Sequence, residues 1–72
     1  MDEQKILENF GLNIKICRQK RKMSQDDLVD ITNFSKPYIS NIELGKHSIS
    51  LVNALKIANV FGKTIEEMIK EV

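Results

Sequence analysis

Lys36, Pro37, Ser40, Asn41 and Leu44 stand at i, i+1, i+4, i+5 and i+8. On a helix these positions form one stripe, with Ile39 and Ile42 on the opposite side. The stripe is mostly polar and nearly free of acid, and these residue types suit hydrogen bonding better than covalent chemistry. Asn41 can bond an adenine bidentately through its N6 and N7 edge, and Lys36 can donate to guanine O6/N7 or to a phosphate. Pro37 can touch a thymine methyl, and Tyr38 can bond a phosphate or stack beside a base. An α-helix fits the major groove of duplex DNA, and side chains near its N-terminus reach the base edges. Every surface helix has a polar outer face, however, so the elements that position the stripe must decide.

Those elements lie between Ser24 and Leu44. Ser24 is an N-cap signal with Asp27 three residues on as a capping-box partner. It opens a helix over Gln25–Thr32, with Leu28 and Ile31 facing in. Asn33 stands where the chain must reverse and tolerates the left-handed conformation better than most residues. Ser35 caps the next helix, Lys36–Leu44, by accepting from the Tyr38 amide. Pro37 sits in its first turn, where a missing donor costs little. Gly45 is the stop. Two short helices joined by so tight a turn form a helix-turn-helix, whose second helix can lie in the major groove. Gln25 stands at a helix N-terminus, which suits a phosphate, and Lys46 with the loop after Gly45 can hold the adjoining backbone.

Three further helices complete the chain. Ile6, Phe10, Ile14 and Cys17 share one face of a helix over Gln4–Lys22, with Gly11 as a local weak point. Ser50 caps a helix over Leu51–Phe61, with Leu51, Leu55, Ala58 and Phe61 on its inner face. Gly62 ends it, and Thr64 with Glu67 forms a second capping box that opens a helix from Ile65 to about Glu71. No segment alternates at period two for long enough to argue a strand. The expectation is one all-α domain over residues 1–72, a compact five-helix bundle.

Composition sets the bounds. The chain has 72 residues, of which 42% are apolar and 29% charged, so it suits one small compact fold without a large enclosed active site. The single cysteine, Cys17, excludes an internal disulfide and a thiol-based metal site, and reads as a small core residue. The acidic N-terminus lacks the apolar stretch of a signal peptide, and no apolar run approaches the roughly 20 residues of a membrane span. A cytoplasmic protein is the simplest expectation. Net charge is only +1, but its distribution is uneven. Residues 1–12 carry −2, residues 13–47 carry +3 and residues 48–72 are neutral. Positive charge thus collects in and beside the helix-turn-helix.

Other apparent motifs carry little. Gly62-Lys63-Thr64 resembles the end of a phosphate-binding loop, but Ile57 stands where the first glycine belongs and no strand precedes it. His47, the only histidine, reads as a loop residue near a nucleic acid. Met68 reads as core filler. No nucleophile–base pair or carboxylate dyad is recognisable, so an enzyme is not expected. No cofactor, metal or small-molecule ligand is evident.

Phe10-Gly11, Ile14, Arg18, Ser24-Gln25, Leu28, Phe34-Ser35, Ile39-Ser40, Ile42-Glu43, Gly45-Lys46, Leu51, Leu55, Ala58, Phe61-Gly62 and Met68 together resemble the Cro/repressor-type (XRE) helix-turn-helix family. The resemblance covers about residues 7–70. Tyr38-Ile39-Ser40 with Ile49-Ser50-Leu51 looks most like restriction–modification controller proteins, with small phage-type repressors also similar. It implies a five-helix DNA-binding domain acting as a dimer on a palindromic operator. Base-reading positions then fall on Lys36, Pro37, Tyr38, Ser40 and Asn41. Phosphate contacts fall on Gln25, with Ser24, Lys46 and His47 beside it. A buried ion pair falls on Arg18 and Glu43. The family usually has Ala where Val29 stands and Gly where Asn33 stands, so the crossing of the two helices differs slightly. Pro37 removes a donor that many relatives use, and the operator sequence cannot be read across.

One such domain reads only about four to six base pairs, so a homodimer on two half-sites is expected. Val52, Ile57, Val60, Ile65, Ile69 and Val72 exceed what one inward face needs and form the expected interface, on helices four and five (about 51–71). The near-neutral net charge supports an alternative, an antitoxin or adaptor that binds another protein through the same faces.

Overall fold

In the computed structural model, which describes residues 2–72, five helices close around one core. They are α1 (Glu3–Lys20), α2 (Gln25–Thr32), α3 (Lys36–Glu43), α4 (Leu51–Val60) and α5 (Ile65–Met68). There is no strand among the described residues. The core comprises Phe10, Ile14, Leu28, Ile39, Ile42, Ala54, Ile57, Ala58, Phe61 and Met68. Packing α1 on α3 and α5, and α2 on α3 and α4, fixes the helix-turn-helix from behind.

The caps set most boundaries. Asp2 opens α1 by accepting from the Gln4 amide at 3.0 Å, so the helix begins one residue before the expected start. It ends at Lys20, two residues early. Lys22 adopts φ +55°, and the Met23 amide donates to the Arg18 carbonyl at 2.9 Å, so Arg21 and Lys22 form the exit turn rather than a last helical turn. Gly45 and Gly62 close α3 and α4 with the same bonding pattern at φ +70° and +62°. Leu44 and Phe61 are cap residues rather than helical ones. Both expected capping boxes, Ser24–Asp27 and Thr64–Glu67, are formed. The amide and hydroxyl that Thr64 donates hold the Glu67 carboxyl below its ordinary range.

Four packing expectations need correction. Gly11 is not a weak point but the place where α1 meets α3. A Cβ there would strike the main-chain oxygens of Ile42 and Glu43, the latter at 2.5 Å. Ile31 is 59% exposed, and α2 commits only Leu28 fully to the core. On α4 the inward face is Ala54, Ile57, Ala58 and Phe61, whereas Leu51 and Leu55 are 70% and 43% exposed. The two alanines let α4 approach closely, so the face with the smaller side chains turns inward. Finally, α5 stops at Met68 instead of about Glu71. The Asn13 carboxamide donates to the carbonyls of Met68 and Lys70 at 2.8 and 2.9 Å, and this draws the chain off the helical path.

Candidate nucleic-acid interface

The turn between α2 and α3 is built from short-range bonds. Asn33 takes φ +62° and its amide donates to the Val29 carbonyl at 2.7 Å. The Thr32 hydroxyl donates to the Leu28 carbonyl at 2.7 Å and accepts from the Phe34 amide at 3.2 Å. Ser35 then caps α3 by accepting from the Tyr38 amide at 3.2 Å, with Pro37 in the first turn. Ile39 and Ile42 are buried, which turns the opposite stripe outward. Lys36, Pro37 and Leu44 are exposed, and Ser40 and Asn41 are half-buried. No acid lies in the first turn of α3.

Behind this helix lies a buried ion pair. Arg18 Nε donates to Glu43 Oε2 at 2.6 Å, and Arg18 Nη2 donates to Glu43 Oε1 at 3.0 Å. Arg18 Nη1 donates to the Met23 carbonyl at 2.9 Å. One guanidinium therefore ties α1 to both ends of the helix-turn-helix. The hydrogen bonds to Glu43 raise the Arg18 pKa, so its charge persists at any pH where the fold exists. The bidentate geometry leaves the carboxylate well satisfied.

The other expected contact residues divide. Gln25 Nε2 donates to Glu43 Oε1 at 3.1 Å, so this side chain braces the ion pair rather than projecting freely. The Ser24 oxygen accepts from the Asp27 amide at 3.0 Å, and its own amide donates to Asp27 Oδ2 at 2.8 Å. What Ser24 retains for a phosphate is its hydroxyl proton. Lys46 and His47 are exposed just beyond Gly45. Lys36 Nζ lies 3.2 Å from Asp26 Oδ1, with both side chains more than half exposed. Asp26 went unanticipated because nothing short-range in the sequence links positions 26 and 36.

Tyr38 does not share the outward direction of Lys36 and Asn41. Its ring packs edge-on against Phe34, with centroids 5.2 Å apart, and its hydroxyl accepts from Asn53 Nδ2 at 2.9 Å. It bridges α3 to the start of α4, leaving its hydroxyl proton as the group it can still donate. Asn53 is a second residue that sequence reasoning missed, since it lies fifteen positions from its partner.

Of the residues expected at an intermolecular face, Ile57 belongs to the core and is fully buried. Val60, Ile65 and Ile69 pack partly against that core, while Val52 and Val72 are exposed. Leu51 and Leu55, expected inside, join Val52 on the exposed side of α4.

Comparison with known proteins agrees with this architecture. The family model described as "Helix-turn-helix" matches residues 14–68. Control protein C.MunI from a Mycoplasma species is 34% identical over an alignment covering 100% of this chain and 96% of that protein. The HTH-type transcriptional regulator YqaE of Bacillus subtilis strain 168, itself uncharacterised, is 25% identical across 85% of this chain. The alignment takes in 53% of YqaE, so this chain spans about half of that relative's length. The crystal structure of the restriction–modification controller protein C.AhdI from Aeromonas hydrophila is similar with a TM-score of 0.77 and 29% identity, covering 86% of this chain and 94% of that one. The chain belongs to the XRE-type helix-turn-helix family of DNA-binding transcriptional regulators.

Proposed function

We propose that residues 1–72 act as one sequence-specific DNA-binding domain that regulates transcription as a homodimer on a palindromic operator. Regulation of a restriction–modification system, as the names of C.MunI and C.AhdI state for those proteins, is the setting that the similarity favours. The observation that carries the reading is the rigid, acid-free outer stripe of α3, held from behind by the Arg18–Glu43 pair. Lys36, Pro37, Ser40 and Asn41 are the base readers, and Asn41 pairs with an adenine edge. Tyr38 positions α3 and donates its hydroxyl proton to a phosphate. The amides that open α2, with Lys46 and His47, hold the flanking backbone. The cytoplasm, where such DNA lies, is the place of action, and catalysis forms no part of the role.

Support for a homodimer comes from Leu51, Val52 and Leu55, three large aliphatics exposed together near the start of α4. Two α3 helices can then enter successive major grooves about one helical turn apart. Selection of bound duplexes from a randomised pool, run beside Asn41→Ala, tests the reading. An enriched palindrome is expected, with preference relaxed at one symmetric base pair in the variant. Binding should also weaken steeply with salt as counterions are released. Failure to enrich any sequence at modest salt would overturn this function in favour of the protein-binding alternative.

A further inference from the structure

A groove of about 480 Å³ lies between the first half of α1 and the end of α5, in the size range of ligand sites. None of its lining residues lies between 24 and 44, so it is separate from the DNA-facing stripe. Half-buried Ile6 and Ile69 give it an apolar interior. Asn9 also lines it, only 9% exposed. No hydrogen bond joins the Asn9 carboxamide to another described residue, yet no buried side-chain polar atom is left without a partner. The carboxamide therefore opens on the groove. A polar group so deeply placed costs about 1–3 kcal/mol when it goes unpaired, so an occupant that bonds it gains accordingly.

Asn13, one helical turn further along the same face of α1, shows what such a group does here. Its Nδ2 donates to two main-chain carbonyls, those of Met68 and Lys70. Asn9 presents the same donor, with an acceptor beside it, and has no chain of its own to hold. A carboxamide can both donate to and accept from a peptide main chain. The groove is open along one side, so a chain can enter and leave it. Its exposed rim carries Asp2, Glu66 and Glu71 against Lys5 and Lys70, a balance of −1 that favours a basic residue in the occupant.

We propose that the groove between α1 and α5 docks an extended segment of a partner protein, with an aliphatic side chain between Ile6 and Ile69 and its main chain bonded to the Asn9 carboxamide. The site is an input surface independent of the operator-reading function. The blocked tripeptide acetyl-Val-Lys-Leu-amide is a direct probe, titrated into the full chain and followed by two-dimensional NMR.

Saturable shifts are expected at the Asn9 side-chain amide and the Ile6 and Ile69 methyls, with α3 undisturbed. Asn9→Leu should weaken binding at least about tenfold while DNA binding is kept. The same peptide with N-methylated main-chain amides should lose affinity equally, and that arm needs no variant to fold. Three results would each overturn the proposal: no saturable shift at millimolar peptide, equal binding of the N-methylated peptide, or groove resonances that move on dilution of the protein alone. The last would mean that a second copy already fills the groove.

Discussion

The Tyr38 hydroxyl accepts a hydrogen bond from Asn53 Nδ2 at 2.9 Å, joining the first turn of α3 to the first turn of α4. Leu51 and Val52, exposed on α4, immediately precede Asn53. The bond therefore connects the helix that faces DNA to the helix that offers an interface. Tyr38→Phe keeps the edge-on packing against Phe34 and removes only the hydroxyl. One net hydrogen bond is worth about 0.5–1.5 kcal/mol. Operator affinity should fall about two- to tenfold, evenly across operator sequences, because orientation is loosened and no base contact is lost. Asn53→Ala should give the same loss, and the double variant no more than either. Additive losses in quantitative DNA-binding titrations would show that the two side chains act separately.

Arg18 and Glu43 are both more than nine-tenths buried. Their attraction and their desolvation oppose each other, so the intact pair adds little net stability, but breaking it strands a charge. Arg18→Ala should destabilise the fold by about 3–5 kcal/mol in urea unfolding, much of a small domain's stability. Replacing both partners by aliphatic residues of similar size should recover most of that loss. A single-variant cost below about 1 kcal/mol would contradict the burial.

Gly11 reverses the ordinary helix rule. In an exposed helix interior, Gly→Ala gains about 0.8–1.0 kcal/mol. Here the new methyl would run into the carbonyls of Ile42 and Glu43, which are main chain and cannot rotate away. Gly11→Ala should therefore destabilise by about 1–3 kcal/mol, as overpacking does. The same push moves the last turn of α3, so DNA affinity should drop with it. Thermal unfolding that rises in the variant would show that α1 and α3 lie further apart.

What was legible in the sequence was local. Ser24, Ser35, Ser50 and Thr64 announce helix starts through bonds that span three residues, and all four caps form. Gly45 and Gly62 announce stops through a backbone conformation other residues avoid. The Arg18–Glu43 pair came from resemblance, because twenty-five positions separate its members. Rotation of α4 was misread, since Leu outranks Ala in hydrophobicity while close helix packing selects Ala54 and Ala58. Gly11 looked like a defect for a related reason, as its partner lies on another helix. Lys36–Asp26 and Tyr38–Asn53 were invisible because each joins residues on different elements with no fixed spacing.

The corrected face of α4 changes which substitutions probe assembly. Ile65 and Ile69 pack partly against the core, so a glutamate at either would damage the fold as well as an interface. Leu51 and Val52 are 70% and 62% exposed and stand outside the core cluster, so acids there leave the interior intact. Two glutamates opposite their own symmetry mates place like charges in an apolar contact, which an isologous interface cannot tolerate. Leu51→Glu with Val52→Glu should yield a monomer with unchanged helical content. Its operator affinity should fall at least about a hundredfold, because one half-site no longer assists the other. Analytical ultracentrifugation beside DNA-binding titrations checks both effects. A dimer that persists in the double variant would move the interface away from the start of α4.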